Sequence, residues 1–231
     1  MTRLTSAPRA WRWRSALAAL GALAALAAGA AEQPTVVASR ALGAAEIYPA
    51  GAPAAARWAV APALVILQRS RWTDERAVAA LREAAGILAQ CGVQLTSATL
   101  YRVDGPERYA DFSTAAGREL ARRLPFAKPT LYFVRETRQP VPFEAEAIGR
   151  GNSATRPELA YTVWMIESVR DPGVALAHEL AHVLMDSGEH VELPGNLMRD
   201  ETDPANVTLT AGQCARLTDS GAALGLLAPS R

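Results

Sequence analysis

Apolar positions in this chain come in short blocks separated by polar, Gly and Pro-containing stretches, and the blocks differ in period. ALVILQ, residues 63–68, is an unbroken apolar run of strand length and reads as a buried strand. Thr73-Asp74 then opens a helical stretch with apolar residues at Val78, Leu81, Ile87 and Leu88, and Cys91-Gly92 gives it a natural stop. VQLTSATLYRV, residues 93–103, is β-rich with partial alternation and reads as one strand. STAAGRELARRL, residues 113–124, predicts a short helix closed by Pro125, and TLYFVRET, residues 130–137, a further strand. Residues 139–157 carry Pro, Gly and Asn and read as a loop with an edge strand around 144–148. LAYTVWMIE, residues 159–167, is a strand, and Asp171-Pro172-Gly173 starts a helix with Pro at its first position. A turn-rich segment, ELPGNLMRDETDPAN, and a last helix at 210–219 complete the chain. This order predicts a mixed α/β domain built on one sheet.

Before residue 58 the pattern changes. Arg3, Arg9, Arg12 and Arg14 precede the apolar run SALAALGALAALAAGA, and Ala28-Gly29-Ala30 offers small residues at a cleavage point. Residues 1–30 therefore read as a secretory signal, with an uncleaved membrane anchor as the alternative. Cleavage leaves no stable membrane insertion and places the protein in the periplasm or outside the cell. Residues 31–57, rich in Ala, Pro and Gly, read as a tether or short pro-segment with little structure of its own, so the folded domain is expected over 58–231.

Charge narrows the partners. A formal net charge of +1, with no Lys/Arg cluster beyond the N-terminus, argues against nucleic acid. Export changes the meaning of the two cysteines, because Cys91 and Cys214 would tend to pair in an oxidising compartment, against the alternative of two thiols that never meet.

All three histidines lie in HELAHVLMDSGEH, residues 178–190. His178 and His182 stand four apart, so on a helix they share one face and two imidazoles can converge on one metal ion. Glu179 sits beside them, placed to reach a water without itself being a ligand. Zinc suits such a set, since it accepts neutral imidazole and has no redox chemistry of its own. The flanking Val174, Leu176, Leu180, Val183 and Leu184 predict a buried helix.

The third ligand is the harder question. On an unbroken helix His190 would stand about 12 Å along the axis from His182, too far to share an ion. The chain must turn back, and Gly188 is the residue expected to end the helix. Asp186 continues the 178, 182 stripe, but the same rise separates it from His178. His190 reads as the third ligand, with Glu189 as the alternative.

HELAHVLMDSGEH followed by PGNLM resembles the metzincin clan of zinc peptidases, whose pattern is HExxHxxGxxH, a loop, and a tight turn carrying Met beneath the metal. Asn196-Leu197-Met198 matches that turn, with Met198 as its Met, and LTAGQCARL resembles the helix that follows it. The likeness covers most of residues 58–219 in element order, but only residues 174–198 in motif. It departs at one point: Met185 and Gly188 hold the places of the family's Gly and third His, and His190 comes two residues late. Thermolysin-like enzymes offer a rival pattern, with Glu201 as third ligand, but MRDETDP does not read as the helix that pattern needs.

The resemblance implies an α+β, zincin-like single domain: a mixed twisted sheet with an antiparallel edge strand, a long helix before it, the HExxH helix, the Met-turn and a C-terminal helix. It also implies an exported endopeptidase with Zn2+ as cofactor. A metal-activated water would hydrolyse a peptide or protein substrate lying along the edge strand, with Glu179 as general base. The other reading is a non-catalytic exported protein that binds zinc or peptide on the same fold. Glu179 separates the two, because a closed structural site takes a fourth protein ligand and needs no such Glu.

Overall fold

The computed structural model describes residues 33–53, 56–138 and 156–230. Its organising strand is β3 (Ala63–Leu67), buried at all five positions. Successive side chains leave a strand on opposite faces, and β3 uses both. Leu64 and Ile66 enter one apolar cluster, Val65 and Leu67 another. The neighbours repeat the alternation. In β6 (Thr130–Phe133), Leu131 and Phe133 go one way and Tyr132 the other; in β7 (Thr162–Met165), Val163 and Met165 part from Trp164. Continuous apolar runs are what a sheet covered on both faces requires.

β5 (Ser97–Asp104) lies on the other side of β3, and β1 (Thr35–Gly43) pairs with β5, giving the order β1-β5-β3-β6-β7. All pairs are parallel except β1–β5, so the sheet is mixed and carries an antiparallel strand at one edge. The larger cluster joins the sheet to α2 (Asp74–Leu88) and α4 (Pro172–Met185), and the smaller joins it to α3 (Thr114–Arg123). The fold class is α+β, and among the described residues no helix is long and apolar enough to cross a membrane.

The helix ends follow local chemistry. Thr73 Oγ1 accepts the Arg76 amide at 3.2 Å, and Ser113 Oγ accepts that of Ala116 at 3.3 Å. α2 runs into a 3₁₀ turn and stops at Gly92, left-handed at φ 70°. Gly173 matters for packing, because a Cβ there would collide with the Glu83 side chain, so its absence lets α2 cross α4 closely.

Four expectations are corrected. Residues 31–57 are not a structureless tether: β1 and α1 (Ala44–Ile47) form here, with Leu42, Ile47 and Tyr48 buried, and the compact unit begins at Pro34. β1 carries no alternating apolar pattern, and eight of its nine residues are exposed, Val36 and Val37 among them, so backbone pairing with β5 holds it rather than an apolar face. Residues 93–103 are two strands, not one. β4 (Val93–Leu95) buries Val93 and Leu95, then Ala98 and Leu100 are buried, so the phase slips at Thr96-Ser97 and one strand cannot serve both. The sheet count is accordingly two, since β4 joins β2 (Trp58–Val60) and β8 (Ala228–Pro229) in a second, three-stranded sheet. The strand expected at 159–167 is shorter, with Pro157–Leu159 forming a 3₁₀ turn and Tyr161 left-handed at φ 57° before β7 begins. The signal at 1–30 and the edge strand at 144–148, with its peptide groove, lie outside the described residues.

Cys91 and Cys214 form a disulfide, Cα–Cα 4.9 Å, which ties the end of α2 to α5 (Ala211–Ala223). Such a bridge belongs to an oxidising environment. α5 extends beyond the 210–219 expected, and it opens on a capping box in which Thr210 and Gln213 serve each other's amides.

Candidate metal centre

α4 is apolar on nearly every side, and twelve of its fourteen residues are buried. Such a helix belongs inside the core, so the two histidines it carries are carried there too. His178 is 3% exposed and His182 2%. Their Nδ1 atoms both meet backbone carbonyls. His178 Nδ1 lies 2.7 Å from Leu197 O, and His182 Nδ1 2.6 Å from Ser187 O. A carbonyl can only accept, so each Nδ1 carries the proton, and in the neutral ring each Nε2 is a bare lone pair. Burial holds the His178 pKa below its ordinary value, which favours that neutral form.

The helix ends earlier than expected. Asp186, not Gly188, takes the left-handed conformation, at φ 47° and ψ 48°. The Ser187 amide donates to His182 O at 3.1 Å and that of Asp186 to Val183 O at 3.3 Å, the paired bonds of a Schellman ending. Asp is one of the few non-Gly residues that enter this region readily. Turning here points the Ser187 carbonyl back at His182 and leaves three residues to bring His190 round.

His190 arrives at the other two rings. The Nε2–Nε2 separations are 2.9 Å for 178–182, 3.1 Å for 182–190 and 3.3 Å for 178–190. Nitrogen ligands about 2.0–2.1 Å from one tetrahedral ion stand roughly 3.3–3.4 Å apart, so the observed spacing is close to that of a shared metal. Two lone pairs at such a distance repel unless a cation draws them together. His190 Nδ1 lies 3.5 Å from Asp200 Oδ1, a carboxylate that can orient this ring in turn. These three imidazoles can hold a metal ion.

The sequence expectations sort accordingly. His178, His182 and His190 come together. Glu189 does not join them: its Oε2 accepts from Arg216 at 2.7 Å on the surface. Asp186 and Glu201 are exposed and outside the cluster. Met198 is buried at 1%, in the turn that supplies the Leu197 carbonyl, and its own carbonyl accepts the Val191 amide at 2.9 Å. Tyr161 packs against the main core.

Glu179 occupies the next position on α4. Its Oε2 is enclosed and has no hydrogen-bond partner among the described residues, and burial pushes its pKa up to about 8. An enclosed, unpartnered carboxylate oxygen is costly to maintain without a use. Sequence reasoning missed Ser187, Asp200 and Gln213, and placed Asn196 in the Met-turn without a role of its own. The Thr-x-x-Gln capping signature at 210–213 could have drawn attention to Gln213, but nothing local marked Ser187 or Asp200. No known protein family matches this chain, and no characterised protein matches its sequence.

Proposed function

We propose that the protein is an exported, metzincin-like zinc endopeptidase. The observation that carries the reading is the convergence of three Nε2 atoms within 2.9–3.3 Å, beside the Oε2 of Glu179, which has no partner among the described residues. Three imidazoles and no thiolate suit zinc. Among the described residues the cluster has three ligands, which favours an open catalytic site over a closed structural one. Zinc held there would supply Lewis acidity towards a water and towards the oxygen of a substrate carbonyl.

The protein's own part is proton handling and orientation. Glu179 in its ionised form, which a bound dication would favour against the burial that raises its pKa, takes a proton from the attacking water and returns it to the departing amine nitrogen. The Leu197 and Ser187 carbonyls keep His178 and His182 in the ligating tautomer. Export to the periplasm or the exterior is supported by the signal-like residues 1–30 and by the disulfide.

The test is Glu179→Gln, compared with wild type for bound zinc and for cleavage of a mixed peptide library with and without chelator. Wild type is expected to bind zinc and cleave in a chelator-sensitive way. The variant should keep its zinc and lose about 10²–10⁴ in rate. Undiminished cleavage by the variant would sink the reading. Zinc binding by wild type with no cleavage of any peptide would leave a non-catalytic zinc protein.

A further inference from the structure

The turn carrying Met198 is joined to α5 by a closed pair of side-chain amides. Asn196 Nδ2 donates to Gln213 Oε1 at 2.8 Å, and Gln213 Nε2 donates back to Asn196 Oδ1 at 3.0 Å. Asn196 is fully buried, at 0% exposure. Its Oδ1 also accepts the Met198 amide at 2.9 Å. That amide shares one planar peptide unit with the Leu197 carbonyl, and in a trans peptide the N–H and C=O point opposite ways. Holding the Met198 N–H on Asn196 therefore aims the Leu197 carbonyl away from Asn196, towards His178 Nδ1 at 2.7 Å. A further bond, Leu197 N to Thr208 O at 2.7 Å, braces the preceding unit.

The anchor for this pair is firm. Gln213 Oε1 also accepts the Thr210 amide at 2.8 Å, so the same side chain caps α5. The next residue, Cys214, is bridged to Cys91. Beside Cys91, Gln90 donates to Val207 O at 2.9 Å and accepts the Leu209 amide at 2.8 Å. The end of α2 thus grips both α5 and the stretch of chain between the turn and that helix.

We infer that Asn196 and Gln213 are positioning residues for the metal site. Together they hold the 197–198 peptide plane so that its carbonyl keeps the proton on His178 Nδ1 and the lone pair on Nε2. The inference rests on reading the three imidazoles as a metal centre. Neither residue touches the ion or the reacting atoms; both act through His178.

Two substitutions test it with little change of shape. Gln213→Glu keeps an oxygen for the Thr210 amide, and Glu at this position suits a helix start, but it has no N–H to give Asn196. Asn196→Asp keeps an oxygen for the Met198 amide and loses the donor to Gln213. Zn2+ affinity is measured by competition with a chromophoric chelator, and Co2+ absorption reports the ligand geometry. Thr218→Val is the control, because its hydroxyl bonds to carbonyls of Cys214 and Ala215 within α5.

Both test variants are expected to melt cooperatively, to bind Zn2+ about tenfold more weakly or worse, and to show an altered Co2+ spectrum. The control should match wild type in both. A merely structural role would lower the melting temperature while leaving affinity and spectrum unmoved, and that result overturns the inference with the metal centre intact. If wild type binds neither ion, the metal reading fails and the inference falls with it. Should Asn196→Asp fail to fold, Gln213→Glu decides alone.

Discussion

Two polar clusters, one around Asp111 and one around the histidines of α4, are built on opposite logic. Asp111 is 6% exposed and fully served: Arg135 grips it through two nitrogens at 2.8 and 2.9 Å, and Arg138 adds a third bond at 2.7 Å. The nearby cavity of about 500 Å³ is lined by charges that are likewise paired, Arg71 with Glu167 at 2.8 Å and Arg76 with the Glu167 carbonyl at 2.7 Å. Around α4, three imidazoles bring their Nε2 atoms together, and among the described residues the Glu179 Oε2 has no partner. A satisfied network stabilises a fold. A convergent, unsatisfied one gives up stability for a site that something else must complete. The cavity beside Asp111 is therefore the less informative place, because its charged groups already have partners.

The comparison breaks most sharply at His182. His182→Ala should lose metal binding by more than the ~10–100-fold that outer partners cost, as read by zinc titration. Its metal-free melting temperature should fall as well, because a buried ring and its bond to the Ser187 carbonyl are lost. Asp111→Ala should leave the metal site alone. Stability should fall by about 1–3 kcal/mol in urea titration, the cost of a lost charged hydrogen-bond set whose arginines still reach water, while zinc affinity stays at the wild-type value. A drop in affinity there would mean that the two clusters are coupled through the sheet.

The smallest effect is on pH. The Arg135 guanidinium holds the Asp111 carboxyl below its ordinary range, and Arg108 brings Glu119 to about 2. Both groups are depressed in the folded state, so their contribution is complete above the unfolded value of about 4 and is lost as pH falls through the folded values. Melting temperature should decline gradually below pH ~4, and Asp111→Ala should flatten that decline. An unchanged slope in the variant would show that Asp111 carries none of it.

Elements with a strong local signal are legible in the sequence. α2 and α3 have Thr73 and Ser113 at their starts, and Gly92 marks the stop that follows α2. β3 announces itself by five apolar residues in a row. β1 does not, because Ala, Ser and Arg on its exposed faces carry no alternation and only pairing with β5 makes it a strand. The end of α4 departs from expectation for a related reason. Gly188 has the better intrinsic claim to a left-handed turn, yet Asp186 takes it, and the Ser187 carbonyl then reaches His182 at 2.6 Å. Contacts beyond the immediate neighbours outweigh a propensity worth at most about 1–2 kcal/mol.

What the sequence by itself determined is the pair His178 and His182 with Glu179 between them, because a helical repeat of 3.6 residues places them without help from the rest of the chain. It also determined that the helix carrying them is buried, since apolar residues surround it. Tertiary structure alone decided that His190 rather than Glu189 completes the set, that Cys91 meets Cys214, and that Asn196 finds Gln213. The last two join positions far apart in the chain, and the first depends on which way a turn leaves its helix. Local rules cannot supply such directions, because they arise when whole elements pack.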